Sequence, residues 1–170
     1  MQNHSKPTFA LFCGLPGSGK TTLAKQLEKQ GKGIRICTDD WQEDLAMQHD
    51  NQEFHGLLRN RLYAHALELL KNGQSIILED GLWMVRDRTE KLEGAQASGA
   101  VTELHFFDLT FDQLWSRIQV RNEELPHGAV PLSKETLQEC WDKFEKPTPE
   151  ELAKFDKVFI YNEESPHPEH

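Results

Sequence analysis

Apolar and polar positions follow two alternating patterns along the chain. Short apolar runs typical of buried strands occupy residues 8–13, 34–37, 75–78, 101–109 and 157–161. Between these runs, apolar residues recur three or four positions apart, as in the series Leu58, Leu62, Ala66 and Leu69. Strands separated by helices favour a parallel sheet covered on both faces. We therefore predict one three-layer α/β domain over residues 1–170, with a five-stranded parallel sheet flanked by helices.

Three helix starts are marked by polar residues spaced three apart. Asp50 with Glu53 and Thr110 with Gln113 have capping-box spacing. Thr148 precedes a proline and two glutamates, which places a cap residue, a proline at the first helical position and a carboxylate at the third. These patterns predict helix caps at Asp50, Thr110 and Thr148.

Composition indicates a soluble globular protein, with 37% hydrophobic and 28% charged residues among 170. No apolar run approaches the roughly 18 residues that suggest a membrane span, and the first seven residues contain no apolar signal region. The three cysteines are an odd number, and two of them lie in apolar runs. We expect them to be reduced and structural, in a cytoplasmic protein.

The formal net charge of −9 weighs against a long nucleic-acid partner. Binding to a phosphate backbone is driven by counterion release and needs basic residues clustered on one face. A nucleotide cofactor needs only a few local donors, so the acidity leaves that class of ligand open.

Residues 14–21 read GLPGSGKT and fit the phosphate-loop spacing G-x-x-x-x-G-K-[ST], between an apolar strand and an amphipathic helix. Glycines let backbone N–H groups surround phosphates, and the helix that follows directs its positive end at the same anion. Lys20 is expected to be a solvated loop charge that reaches the β- and γ-phosphates, while the Thr21 hydroxyl ligates Mg²⁺. The predicted ATP-binding residues are Gly14, Leu15, Pro16, Gly17, Ser18, Gly19, Lys20, Thr21 and Thr22.

Two carboxylates follow the second predicted strand, at the sheet edge where open α/β sheets bind ligands. A hydroxyl that attacks phosphorus benefits from a carboxylate that orients it and takes its proton. Asp39 comes first and is our candidate for this general base, while Asp40 contributes to the substrate site or caps the next helical turn. In the alternative interpretation, both aspartates belong to a solvated helix N-terminus.

A second polar segment follows the third predicted strand. Asp80 could hold a Mg²⁺-bound water, position the acceptor, or simply stand at a turn. Trp83 and Trp41 could line a substrate pocket, although aromatic residues in such places often only pack against the core.

Arg117 and Arg121 are four residues apart on one predicted helix and share a face. They could close over ATP and stabilise charge on the transferring phosphoryl group, or form surface salt bridges. The polar loop at 122–131 suits a mobile lid, so we predict a helical lid at about 110–145. The tail at 163–170 is predicted to be disordered.

These residues together resemble the small P-loop kinases grouped with polynucleotide 5′-kinase domains, chloramphenicol phosphotransferase and zeta-toxin kinases. The resemblance covers residues 8–162 and rests on GLPGSGKTT, on Asp39-Asp40-Trp41 and on Arg117-x-x-x-Arg121. It implies that Asp39 is the base and that the two arginines belong to the lid. The stretch from Asp80 to Arg88 resembles a bacterial subgroup of ATP-binding proteins, which adds Arg88 to the candidate substrate-binding residues.

The chain departs from the polynucleotide 5′-kinases at Gln42, where they carry an arginine for the substrate phosphate. We therefore expect an ATP- and Mg²⁺-dependent kinase for a hydroxyl of a small molecule. A polynucleotide 5′-hydroxyl kinase is the first alternative. A nucleotide-dependent switch or ATPase that binds a protein partner is the second, although no effector surface is evident.

Overall fold

The computed structural model describes residues 5–125 and 131–163. The strands are β1 (Thr8–Cys13), β2 (Ile34–Ile36), β3 (Ile76–Leu78), β4 (Val101–Phe107) and β5 (Lys157–Tyr161). The helices are α1 (Lys20–Lys29), α2 (Thr38–Asp44), α3 (Gln52–Lys71), α4 (Val85–Ala97), α5 (Phe111–Glu124), α6 (Lys134–Lys143) and α7 (Pro149–Leu152).

The five strands form one sheet in the order β2-β3-β1-β4-β5, and every neighbouring pair is parallel. Central strand β1 is buried on both faces, as the apolar run at 8–13 indicates. Phe9 and Leu11 belong to the core on one side of the sheet, and Phe12 belongs to the core on the other. The predicted parallel α/β fold is therefore confirmed.

Helices cover both faces of the sheet. Helix α1 contributes Leu23 and Ala24 to one core cluster. Helices α3, α4 and α7 lie against the opposite cluster, to which α3 contributes Leu62 and Leu70. A third cluster joins α5 and α6 to the phosphate loop; its buried members are Leu15, Leu109, Leu114, Ile118 and Leu137.

The caps at Thr110 and Thr148 form as predicted. Thr110 and Gln113 make a reciprocal capping box, and Thr148 accepts a hydrogen bond from the Glu151 amide. The prediction for α3 is wrong by one residue. Its cap is Asn51, whose side-chain oxygen accepts from the Phe54 amide at 3.0 Å, the third helical amide from the cap.

Part of the lid prediction and nearly all of the tail prediction fall on residues 126–130 and 164–170, outside the described residues. Helices α5 and α6 occupy the region expected to form a lid. Cys13 and Cys37 are buried and free, and Cys140 is half-buried and free. Among the described residues, no helix is both long enough and apolar enough to cross a membrane.

Candidate functional site

The loops that follow β1, β2 and β3 open onto one cavity of about 890 Å³ at the carboxyl edge of the sheet. Ten predicted site residues other than glycine line this cavity and are brought together by the fold; they are Pro16, Ser18, Lys20, Thr21, Thr22, Asp39, Asp80, Trp83, Arg117 and Arg121. Gly17 and Gly19 of the phosphate loop also line it.

The phosphate loop needs glycine at two of its positions. Gly17 and Gly19 have φ angles of 80° and 99°, which side-chain-bearing residues rarely adopt. A Cβ at Gly17 would also lie 2.7 Å from Cγ1 of Ile118 on α5. The loop is thus wound tightly between β1 and α1 and pressed against α5, with its backbone at the cavity surface.

Lys20 is not the solvated charge that we expected from the sequence. Its Nζ turns into the loop and donates to the carbonyl of Leu15 at 2.8 Å and to Oγ of Ser18 at 3.4 Å. Burial lowers the pKa of this ammonium to about 8, although the nearby Glu79 carboxylate opposes the shift. The lysine is therefore held in place within the loop.

The loop is joined to β3 by Glu79, whose role sequence reasoning missed. Thr21 Oγ1 donates to Oε1 of Glu79, and Arg35 on β2 donates from Nε to Oε2 at 2.6 Å. Glu79 follows β3 directly and is 7% exposed. The available signal was a carboxylate placed directly after an apolar strand, next to the Asp80 that we singled out instead.

Thr21 and Glu79 fit the requirements of Mg²⁺, which takes hard oxygen ligands and is commonly held by one or two carboxylates together with substrate phosphates. Their side-chain oxygens are in contact at the base of the phosphate loop. Within residues 5–125 and 131–163, no group of three His, Cys, Asp or Glu side chains could form a metal cage without such phosphates.

Asp39 and Asp40 lie in the first turn of α2 but have different surroundings. Asp39 lines the cavity, with its side chain 78% exposed and Oδ1 3.1 Å from Nε2 of His55 on α3. Asp40 points away to Arg35, which donates to its Oδ2 at 2.7 Å. Although burial acts in the opposite direction, this hydrogen bond and the charge of Arg35 hold the pKa of Asp40 below its ordinary value.

The surroundings of Asp40 favour neither of the two roles that the sequence suggested for it. The N-cap of α2 is Cys37, and no side chain caps this helix. The cavity lining includes Asp39 but, within the described chain, not Asp40. The ion pair with Arg35 occupies the Asp40 carboxylate, and this makes it a structural residue next to the site.

Asp80 lies at the bottom of the cavity and is 8% exposed. Thr38 donates from Oγ1 to Oδ1 of Asp80 at 2.8 Å and so joins the ends of β2 and β3. The closest cation is Arg59 on α3, with Nε 3.9 Å from Oδ2. Burial raises the pKa of Asp80, and the Thr38 hydrogen bond and the Arg59 charge oppose this shift.

The two arginines on α5 face the phosphate loop. Arg117 donates from Nη1 to the carbonyl of Ser18 at 3.2 Å. Arg121 lines the cavity one turn further along, and its charge contributes to lowering the pKa of Lys20. Both cations therefore lie where phosphates in the loop would be within their reach.

The two candidate tryptophans have different environments. Trp83 lines the cavity and donates from Nε1 to the carbonyl of Gly14 at 3.1 Å, which joins the loop after β3 to the phosphate loop. Trp41 lies on the outward side of α2, 45% exposed, and is not part of the cavity lining in the described residues. The placement thus fits a pocket role for Trp83 and not for Trp41.

Arg88 does not lie where a substrate ligand would. Its side chain is fully buried and forms an ion pair with Glu151 on α7, with Nη2 3.0 Å from Oε2. Its Nη1 donates to the carbonyls of Leu82 and Trp83 at 3.0 and 3.1 Å. Within the described residues, Arg88 is thus paired in the protein interior and does not line the cavity, which favours a structural role over a substrate contact.

Sequence reasoning also missed the wall of the cavity that faces Asp39. Gln52, His55 and Arg59 line it from α3, and their spacing of three and four residues puts them on one helix face. His49, Arg86 and Asp87 complete this wall. The i, i+3, i+7 polar pattern was visible, but a solvent-exposed helix face has the same pattern.

A family model described as AAA domain matches residues 9–147. Similar solved structures include a candidate kinase from Chloroflexus aurantiacus j-10-fl, with 19% identity and a TM-score of 0.69, covering 92% of this chain and 85% of that one. The PezAT toxin–antitoxin structure of Streptococcus pneumoniae has 22% identity and a TM-score of 0.69, covering 95% and 71%. A gluconokinase from Sinorhizobium meliloti 1021 has 15% identity and a TM-score of 0.62, covering 95% and 85%.

A curated relative is the signal recognition particle 54 kDa protein of Methanothermobacter thermautotrophicus, 32% identical over 124 residues. The match covers 63% of this chain and 27% of the relative, so the chain corresponds to little more than a quarter of that protein.

Proposed function

This chain belongs to the AAA-domain family and has the fold of the small P-loop kinases, and on that premise we propose that it transfers the γ-phosphate of ATP to a hydroxyl group of a small molecule. The main support for this proposal is that Asp39 and the phosphate loop line the same cavity. A carboxylate on the far side of a phosphate site is what an attacking hydroxyl needs.

The phosphate loop would hold ATP by its backbone amides and by Lys20. The ammonium already lies inside the loop, and its bond to the Leu15 carbonyl can be exchanged for phosphate oxygens of higher charge. Arg117 and Arg121 would meet the charge on the transferring phosphoryl group from the α5 side. Thr21 and Glu79 would hold Mg²⁺, which neutralises charge on the β- and γ-phosphates when bound.

Asp39 would act as the general base of the reaction. The acceptor oxygen forms a bond to the γ-phosphorus while the bond from this phosphorus to the β–γ bridging oxygen breaks, and ADP leaves. The proton of the acceptor hydroxyl passes to Asp39. His55, 3.1 Å from the Asp39 carboxylate, would orient it toward the cavity.

Two features favour a small acceptor over the 5′ end of a nucleic acid. Gln42 is only 1% exposed and donates from Nε2 to the carbonyl of Gln48 at 2.6 Å, so this position serves the loop between α2 and α3. The net charge of −9 disfavours an extended polyanion.

The test is a label-transfer screen with γ-labelled ATP, Mg²⁺ and a panel of hydroxyl compounds that includes a 5′-hydroxyl oligonucleotide. We expect label on a small organic acceptor, with Lys20→Ala protein as the blank. Label on the oligonucleotide alone would make the chain a polynucleotide kinase. Acceptor-independent release of inorganic phosphate, with no labelled organic product, would favour the switch.

A further inference from the structure

One carboxylate oxygen at the bottom of the cavity lacks a hydrogen-bond partner. In residues 5–125 and 131–163, Oδ2 of Asp80 is buried and no donor lies within hydrogen-bonding distance of it. The other oxygen, Oδ1, is fixed by Thr38 at 2.8 Å, so the carboxylate cannot turn freely to find a donor elsewhere. A buried, unpaired acceptor costs about 1–3 kcal/mol, and a ligand with a donor in this place would remove that penalty.

Arg59 lies opposite this oxygen, but its N–H groups are too far away to form a hydrogen bond with it. Its Nε is 3.9 Å from Oδ2 of Asp80, and its Nη2 is 3.6 Å from Oδ2 of Asp87. Both distances exceed those of hydrogen bonds. A carboxylate acceptor and a guanidinium donor therefore face the same part of the cavity without being bonded to each other.

The chemistry of the two groups selects their ligand. A hydroxyl group donates one hydrogen bond and accepts others, so it can donate to Asp80 and accept from Arg59 at once. An ammonium could donate to Asp80 but could not accept from Arg59, while a phosphate or carboxylate would be repelled by Asp80. The nearby Asp39 and Asp87 also disfavour an anion.

We propose that Asp80 and Arg59 bind a second hydroxyl of the acceptor, so that the acceptor is a polyhydroxylated compound with one hydroxyl at Asp39 and another at this pair. This inference rests on the proposed kinase function and deepens it. Thr38, bonded to Asp80, is the residue before Asp39, so the two carboxylates stand at the ends of adjacent strands. Strands β2 and β3 are neighbours in the sheet, about 4.8 Å apart, so the segments that follow them bring Asp39 and Asp80 to the same cavity, within reach of one polyhydroxylated molecule.

Asp80 and Arg59 would determine which acceptor binds and would not affect the affinity for ATP. Asp80 follows Glu79, however, and a role in holding a Mg²⁺-bound water would affect ATP instead. The affinity for ATP in the presence of Mg²⁺ therefore separates the two roles. A site built to bond a hydroxyl strongly rejects the analogue that lacks it, because its buried polar groups are then left unpaired.

The experiment uses the full chain with γ-labelled ATP and Mg²⁺, and a panel in which each polyol, sugar or nucleoside is paired with its monodeoxy counterparts and with simple mono-alcohols. The variants are Asp80→Asn, which keeps the oxygen bonded to Thr38, and Arg59→Gln. The matched controls are Asp44→Asn on exposed α2 surface and Arg61→Gln, which is two residues from Arg59, pairs with Glu68 and lies outside the cavity lining.

We expect wild-type kcat/KM to fall by about 10²-fold or more when the second hydroxyl is removed from the acceptor. In Asp80→Asn and in Arg59→Gln, kcat/KM for the acceptor should exceed kcat/KM for its deoxy analogue by no more than a few-fold. ATP affinity and thermal stability of both variants should stay close to those of the two controls.

Three results would overturn the inference while leaving the kinase proposal standing. The first is efficient transfer to a mono-alcohol, and the second is an unchanged ratio of kcat/KM for the acceptor and its deoxy analogue in both variants. The third is a loss of Mg²⁺-dependent ATP affinity in Asp80→Asn with this ratio unchanged, which would assign Asp80 to the metal. Absence of any labelled organic product from wild-type protein that binds ATP would overturn the proposed function, and the inference with it.

Discussion

The cavity has two sides whose charged groups are arranged differently. On the phosphate side, formed by Lys20, Thr21, Glu79 and Arg117, each of these side chains has a protein partner at hydrogen-bonding distance. On the acceptor side, formed by Asp39, His55, Arg59 and Asp80, Asp39 lies 3.1 Å from His55 and one oxygen of Asp80 accepts from Thr38. The other oxygen of Asp80 has no hydrogen-bond partner among the described residues, and Nε of Arg59 lies 3.9 Å from it.

The proposed function would account for this difference by what each side has to recognise. The phosphates of ATP can be held by a loop that is already organised, and organisation before binding strengthens contacts to developing charge. An acceptor must be distinguished from many other hydroxyl compounds. Groups that are left unpaired until the correct ligand arrives provide this selection.

The largest effect is expected from Lys20→Ala on the phosphate side. In the proposed mechanism it removes a contact to both bound ATP and the transferring phosphoryl group, so kcat/KM for transfer should fall by about 10³-fold or more. The lost bond to the Leu15 carbonyl should destabilise the fold by only about 1 kcal/mol. Label-transfer kinetics and chemical denaturation check the two parts. Near-normal transfer would mean that this loop does not hold ATP.

Asp39→Asn tests the acceptor side while keeping the size of the side chain. General-base assistance is worth about 10²- to 10⁴-fold, so kcat should fall by that order while ATP affinity stays within a few-fold. Asp40→Asn is the matched control, because its carboxylate pairs with Arg35 outside the cavity. If Asp40→Asn were the inactive variant, the assignment of the base would be wrong by one residue.

Arg121→Ala should have a smaller effect, on rate more than on binding. Its guanidinium would meet charge that develops as the phosphoryl group moves, so kcat should fall by about 10²-fold with little change in ATP affinity. Steady-state transfer kinetics with equilibrium ATP binding measure both. An unchanged kcat would return Arg121 to the role of a surface cation.

The smallest catalytic effect is expected at Arg88, where stability should change instead. Arg88→Met leaves the carboxylate of Glu151 without its buried partner, which should cost about 3–5 kcal/mol of unfolding free energy. Replacing both residues by Met should cost less than the single change. A stable Arg88→Met protein with a raised acceptor KM would show instead that Arg88 contacts the substrate.

The sequence predicted the phosphate loop itself better than the acceptor side for a physical reason. The phosphate loop is contiguous, and residues 14–22 fold locally between a strand and a helix. The acceptor side is assembled from segments far apart in the chain, with Arg59 on α3 brought to Asp80 after β3. Only tertiary packing creates that pair, so no spacing in the sequence encodes it.

Three candidate residues, Asp40, Trp41 and Arg88, do not line the cavity within the described part of the chain. Each lies close in sequence to a residue that does line the cavity, but helix geometry turns Asp40 and Trp41 away from it. Arg88 was expected at the substrate, and its side chain is instead buried in an ion pair with Glu151. The parallel sheet was predictable because its apolar runs are local and alternate with helical segments.

The central claim is that the γ-phosphate passes to an organic hydroxyl rather than to water. The most direct measurement is the fate of the γ-label in wild-type protein, with the acceptor present and absent. Our account predicts that most label appears on the organic product, and that turnover without acceptor is at least about 10²-fold slower. Equal turnover in both conditions, with all label in inorganic phosphate, would contradict it.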